Sequence, residues 1–352
     1  MSTKRALVLS GGSIKGAFQA GAIAELLDSG FVPDAIYGTS VGSLNGSFLT
    51  ERAGRAVRAG QTPDWAEIGR ALEKFWLEDL KSPDQVGTQR RLLPLATALL
   101  RSRFAGLIDT GPLRKLLETV LEPDNLRASP VRFYACAVNL ANGEAVYASQ
   151  DYSGILDYII ASTAIPVEMP HVNIGNAPYV DGGVREVAPL GKAIEDKADE
   201  IACICCLPRN LEGVAFRPGN LLEFALRLMD VVTNELINND LDRFDQINDW
   251  VRAYQKILKK LPQTVPDYAN GQNVEATISP LFAELPFNKW REIPITLIRP
   301  ENEVVLDLMH FTPTDIEEVI KQGRNVARKI LGPAASSKPA VEAGEHEAES
   351  AG

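Results

Sequence analysis

Along this chain, short runs of consecutive apolar residues are separated by longer stretches whose apolar positions return every three or four residues. The first run, Ala6-Leu7-Val8-Leu9, lies within residues 5–10 and ends in Gly11-Gly12. It is apolar at every position, as expected of a strand buried on both faces rather than on one. Ile14, Phe18, Ala22 and Leu26 come next, near helical spacing, as far as Gly30, a natural helix stop. Ala35-Ile36-Tyr37 is a second strand-like run ending at Gly38, and from Val41 the helical period resumes with Leu44, Phe48 and Leu49. Strand, helix, strand, helix in that order predicts a parallel sheet with helices packed on it.

Residues 52–122 read as largely helical, broken near Pro63, Pro83 and Gly111-Pro112. Strand patterns return at 131–138 and 144–149, joined through Ala141-Asn142-Gly143, where Asn-Gly is a hairpin signal. A helix is expected over 154–164, halted by Pro166, then a buried strand over 199–207. Residues 220–260 are strongly helical, with Leu222, Ala225, Leu226, Met229, Val232 and Leu236 on one apolar face. A strand from Ile295 to Ile298 precedes a last helix from about Asp315 to Ile330. Beyond Pro333 the apolar periodicity stops, so 333–352 is expected to be a disordered tail. Residues 1–332 are expected to form one α/β domain, with helical insertions at about 52–122 and 210–290.

Composition narrows the classes. Of 352 residues, 45% are hydrophobic and 23% charged, which is ordinary for a globular chain. A formal net charge of −10 leaves no cation excess to neutralise phosphates and argues against a general nucleic-acid binder. The cysteines are Cys136, Cys203, Cys205 and Cys206; the last three crowd one apolar run, and no histidine lies beside them to complete a zinc set. They are expected to be buried, reduced thiols suited to a reducing cytoplasm, and neither metal nor cofactor is expected. The apolar run after the N-terminus is too short for a signal peptide, and no stretch approaches the roughly 20 residues that span a bilayer. A cytoplasmic location is therefore expected, with peripheral membrane contact left open.

Candidate chemistry sits at the strand–helix junctions. Gly38-Thr39-Ser40-Val41-Gly42 fits Gly-x-Ser-x-Gly between a strand and a helix. Such a sharp turn exposes a serine hydroxyl beside a helix N-terminus, whose positive end favours a developing oxyanion. Gly11-Gly12-Ser13-Ile14-Lys15-Gly16 lies at the first junction, where bare peptide N–H groups can form an oxyanion hole. A phosphate-binding turn is the competing reading. Against it, no Gly-x-x-x-x-Gly-Lys-Ser/Thr occurs, and the second strand ends without the acid that would hold a ribose. Asp181-Gly182-Gly183 comes after the apolar Tyr179-Val180 and, taken alone, is a turn.

In this order the three elements resemble the patatin-like phospholipase family, whose pattern is Gly-Gly-x-x-Lys/Arg-Gly, then Gly-x-Ser-x-Gly, then Asp-Gly-Gly/Ala. Ala161-Ser162-Thr163-Ala164-Ile165-Pro166 is similar to the segment that precedes the family aspartate. Val184-Arg185-Glu186 and Pro189-Leu190 are similar to the segment on its C-terminal side. The resemblance covers residues 5 to about 208 and, more loosely, reaches 330. It implies a three-layer α/β/α fold with a central, mostly parallel sheet and helical cap insertions. It further implies Ser40 as nucleophile, Asp181 as its base, and amides around Gly11, Gly12 and Ser13 as the oxyanion hole, with Lys15, Gly16, Gly38, Gly42, Gly182 and Gly183 as supporting motif positions. The implied activity is acyl hydrolysis of phospholipid or lysophospholipid through an acyl-enzyme. A carboxylesterase or thioesterase, or a non-catalytic lipid-binding module, are the alternatives. Ser13 departs from the pattern, because many members carry a third glycine there.

The chain's histidines are His171, His310 and His346. The order Ser40, Asp181, His310 also matches the α/β-hydrolase triad, although there the elbow normally comes after several strands. His171 and His310 are read as local structural residues and His346 as part of the tail, which favours a dyad. Residues 90–104 combine Arg90, Arg91, Arg101 and Arg103 with five leucines. A helix against the core is favoured there over a lipid-docking cap. The 220–260 helices read equally well as cap or dimer surface, so the oligomeric state stays open. Trp76, Trp250 and Trp290 are read as packing residues.

Overall fold

The computed structural model describes residues 3–90, 106–213, 221–264 and 290–332. The tail 333–352, and all of the 90–104 segment except Arg90, lie outside the described residues. The strands are β1 (Arg5–Leu9), β2 (Ala35–Thr39), β3 (Thr88–Gln89), β4 (Ile108–Asp109), β5 (Arg132–Asn139), β6 (Ala145–Ser149), β7 (Val172–Ile174), β8 (Ala177–Asp181), β9 (Glu200–Ile204) and β10 (Ile295–Ile298). The helices are α1 (Gly16–Asp28), α2 (Val41–Arg58), α3 (Trp65–Glu78), α4 (Pro83–Val86), α5 (Gly111–Val120), α6 (Pro123–Ala128), α7 (Ile155–Ser162), α8 (Leu190–Glu195), α9 (Leu221–Thr264) and α10 (Pro313–Leu331).

The main sheet runs β10-β9-β1-β2-β5-β8-β7, with β6 also paired to β5. From β10 to β5 every pairing is parallel, and antiparallel pairs close the other end. Helices cover both faces, so the architecture is α/β with a mostly parallel sheet. The all-apolar first strand shows why. Leu7 and Leu9 face the larger core beneath α1, α2, α3 and α10, while Ala6 and Val8 face a second core with α8 and α9. Successive side chains point to opposite faces, so a strand covered on both sides has no position for a polar residue. All four cysteines are buried and unpaired. Among the described residues no helix is long and apolar enough to cross a membrane.

The register of β5 positions the site. Strand β2 pairs with β5 as far as Thr39 opposite Cys136. Strand β6 pairs with residues Tyr134 to Val138 and therefore takes the other edge of β5. Strand β8 pairs with Ala137 to Asn139, of which Ala137 and Val138 also pair with β6, so β8 occupies the edge that β2 has just left. The C-terminal ends of β2 and β8 consequently meet head to head, with Asp181 opposite Ala137 and Thr39 opposite Cys136. Residues far apart along the chain, Ser40 and Asp181, become neighbours through this handover.

Candidate active site

Ser40 comes directly after β2 and caps α2 with φ 56° and ψ −127°. This is a strained backbone for a residue bearing a side chain. The flanking glycines make the turn geometrically feasible. A Cβ on Gly38 would lie 2.4 Å from the Gly42 carbonyl oxygen, and one on Gly42 would lie 2.3 Å from that of Leu9. Ser40 is 5% exposed, so its hydroxyl opens into a cavity rather than bulk water.

The glycine loop approaches from β1, bringing Gly11 close enough that a Cβ there would lie 3.2 Å from that of Ser40. The Gly11 N–H donates to the Val187 carbonyl at 2.8 Å. That narrows the expected oxyanion set, because this amide is already engaged. The N–H groups of Gly12 and Ser13 have no such partner among the described residues. Ser13 has φ 53°, so the position where the family pattern has glycine does adopt the left-handed region. Ser13→Gly is therefore expected to raise stability by about 0.5–1 kcal/mol, strain relief outweighing the added chain entropy. Urea unfolding of the two proteins checks it.

Asp181 closes β8. Its N–H donates to the Ala164 carbonyl at 3.0 Å, and its Oδ1 accepts the Gly183 N–H at 2.7 Å. Ser40 lines the same chamber, close enough to lower the pKa of this carboxyl. Burial pushes the Asp181 pKa up to about 7, against the lowering influence of nearby Ser40 and of the Gly183 N–H. Desolvation disfavours the charged form, and these two neighbours only partly compensate. A carboxyl poised near neutrality exchanges protons with a hydroxyl far better than an ordinary aspartate.

Two compartments meet at Ser40. One is an apolar slot walled by Ile14, Val41, Leu44, Trp76, Leu80, Val86, Leu113, Met169 and Leu308. The other is a more polar chamber of about 110 Å³ holding Gly12, Lys15, Asp181, Asp230 and Thr233. Ser13, Ser40 and Ile165 line both. Lys15 is not the solvated lysine that its place before α1 allows. Its side chain is 12% exposed and lies 4.0 Å from Glu303, which Arg227 also pairs at 3.2 Å. Burial raises the Asp230 pKa, opposed by Lys15 and Arg227.

The described histidines, His171 and His310, do not line either compartment. His310 is exposed and its Nδ1 lies 3.0 Å from Asp307 Oδ2, a local contact as expected, and His171 is exposed. Trp76 is buried and its indole N–H donates to Asn45 Oδ1 at 2.8 Å. Trp250 and Trp290, read as packing residues, are instead 45% and 37% exposed. A larger cavity of about 900 Å³ opens between α8 and α9 but contains neither Ser40 nor Asp181, so volume is a poor guide to the chemistry here. Sequence reasoning misses the slot walls Met169, Leu113 and Leu308, which come from three separate segments. It also misses the short β7–β8 hairpin that delivers Asp181, whose signal is Gly175-Asn176 in the turn.

Comparison with known proteins finds relatives of this chain. The profile of the family described as Patatin-like phospholipase matches residues 7–194. A patatin-like phospholipase domain-containing protein of Cryptococcus neoformans var. neoformans is 28% identical over 277 residues, covering 70% of this chain and 31% of that protein. Its counterpart in a second strain is likewise 28% identical, with 29% of its length covered. The chain thus spans about a third of the curated relatives it matches. The crystal structure of VipD from Legionella pneumophila aligns at 16% identity over 94% of this chain and 67% of that one, with a TM-score of 0.38. Full-length ExoU with SpcU, from the type III secretion system of Pseudomonas aeruginosa, aligns at 14% identity over 81% and 62%, with a TM-score of 0.23.

Proposed function

Since this chain belongs to the patatin-like phospholipase family, we propose that it is a serine acyl hydrolase that cleaves fatty acyl esters of phospholipid or lysophospholipid. The observation that carries the reading is that the buried Ser40 and the buried Asp181, whose pKa is pushed up to about 7, line the same small chamber at the meeting ends of β2 and β8. The acyl chain enters the apolar slot, and the ester carbonyl lies beside Ser40 with its oxygen toward the Gly12 and Ser13 N–H groups. Ser40 Oγ attacks the carbonyl carbon while its proton passes to the Asp181 carboxylate. The two amides hold the oxyanion. Collapse breaks the ester C–O bond, and the leaving alcohol takes the proton from Asp181. Water then repeats the sequence on the acyl-enzyme, releasing fatty acid and restoring Ser40.

The apolar walls beside the serine, around a slot of about 40 Å³, favour an acyl group over a polar one, and the chamber with Lys15 and Asp230 supports a polar leaving group. Fatty-acid release from phosphatidylcholine, lysophosphatidylcholine and a long-chain acyl thioester at matched chain length tests this assignment. A kcat/KM at least about tenfold higher on the glycerolipids than on the thioester is expected. Turnover of the thioester alone would transfer the chain to the thioesterase reading.

A further inference from the structure

We propose that Ser162 is a positioning residue that holds the backbone of the nucleophile, and that the three residues Ser162–Ala164 fix the separation of Ser40 and Asp181. The inference rests on the reading of those two residues as a catalytic dyad. Its starting point is the Ser40 N–H. The strained turn points this group away from any strand partner, into a place where both residues are shielded from water, with Ser40 5% and Ser162 0% exposed. There it donates to Ser162 Oγ at 2.9 Å. An orphaned amide would be costly in such a place, so the acceptor stabilises this backbone conformation in particular.

The acceptor is itself anchored. The Ser162 hydroxyl donates to the Cys136 carbonyl on β5 at 2.5 Å. Cys136 is the residue paired with Thr39, immediately before the nucleophile. Ser43 Oγ donates to the Gly38 carbonyl at 2.7 Å and lies 2.8 Å from Ser162 Oγ, so the first turn of α2 packs against the same point. Two residues further on, the Ala164 carbonyl accepts the Asp181 N–H. One short stretch at the end of α7 therefore grips the main chain on both sides of the proton-transfer pair.

A serine that merely fills the core behaves differently. Ser47 bonds back to the Leu44 carbonyl, Thr50 to Gly46, and the neighbouring Thr163 to Ile160, each satisfying itself within its own helix or helix end. Ser162 instead turns outward to two other elements. A small error in the placement of Ser40 is enough to slow attack, because reaction depends on near-attack geometry to a fraction of an ångström.

The test compares Ser162→Ala with Ser47→Ala, which deletes a buried hydroxyl from α2 without touching the turn. Steady-state hydrolysis of a soluble ester, the rate of fluorophosphonate labelling at Ser40 and the thermal midpoint are measured for each. Ser162→Ala should lower kcat and the labelling rate together, on the order of 10- to 100-fold, with KM within about twofold of wild type. Ser47→Ala should lose thermal stability while keeping both rates within about twofold. If Ser162→Ala fails to fold, Ser162→Cys keeps the size and supplies only a weak acceptor, and its rates should fall at least about fivefold. Wild-type labelling of Ser40 in either Ser162 variant, or equal kinetic losses in Ser47→Ala, overturns the positioning role alone. Labelling that survives in Ser40→Ala overturns the dyad, and the positioning role with it.

Discussion

An Asp181→Asn enzyme is expected to hydrolyse its ester on the order of 10³-fold more slowly than wild type, the loss falling on kcat rather than KM. The amide keeps the size of the carboxyl, and its oxygen can still accept the Gly183 N–H, but it cannot take the Ser40 proton. Stability should move the other way. Burial holds the folded pKa at about 7, against an ordinary value of about 3.9 in the unfolded chain. Between those values the unfolded chain ionises while the folded protein stays protonated, so wild type loses stability as pH rises through that window. Asparagine does not titrate. The stability difference between variant and wild type should therefore grow in the variant's favour, on the order of 3 kcal/mol between pH 4 and pH 8. Urea unfolding at the two pH values measures it, and an unchanged difference would mean that Asp181 is not held protonated by its surroundings.

Ser40→Ala is expected to abolish turnover, a loss on the order of 10⁵-fold or more, because Ser40 is the hydroxyl that the strained elbow presents to the chamber shared with Asp181. Initial rates of fatty-acid release set the size of that loss, and intact-mass spectrometry after fluorophosphonate treatment should show no adduct. Ser13 is the other serine lining both compartments, and an adduct appearing there instead would reassign the nucleophile. The elbow adds a stability component. Ser40 has φ 56°, so Ser40→Gly should be as inactive as Ser40→Ala but more stable than it by about 1 kcal/mol. Activity and stability thus part company at both members of the proposed dyad, as at sites where strain and desolvation serve chemistry.

Legibility in the sequence depends on how local each feature is. The strands β1, β2, β5, β6, β9 and β10 and the helices α1, α2 and α10 carry local periodicity or turn residues, and their positions are legible to within a few residues. The elbow glycines are legible too, since Gly38 and Gly42 answer to contacts within their own turn and with β1. Strands β7 and β8 are not. Their residues, with Asn173 and Pro178 among them, form too short a pair to show alternation. Their role is set by the edge that β2 vacates on β5, which is a property of register and not of any one segment. The ion pair of Lys15 with Glu303, and the hold of Ser162 on the Ser40 N–H, join residues far apart along the chain and leave no mark in either local pattern. The engaged Gly11 amide is similar, since its partner Val187 comes from the loop after Asp181.

The link between the buried carboxyl and the serine hydroxyl is read most directly by the pH dependence of phosphonylation of Ser40, with the adduct located by peptide mapping. If Asp181 is the base, the rate on wild type should rise about tenfold per pH unit below neutrality and level off above about 7. Burial also pushes Glu168 and Glu186 up to about 7, so the same series on Asp181→Asn assigns the inflection and should lose it. A rate that ignores pH between about 5 and 8, or an inflection that survives in Asp181→Asn, would contradict a Ser40–Asp181 dyad.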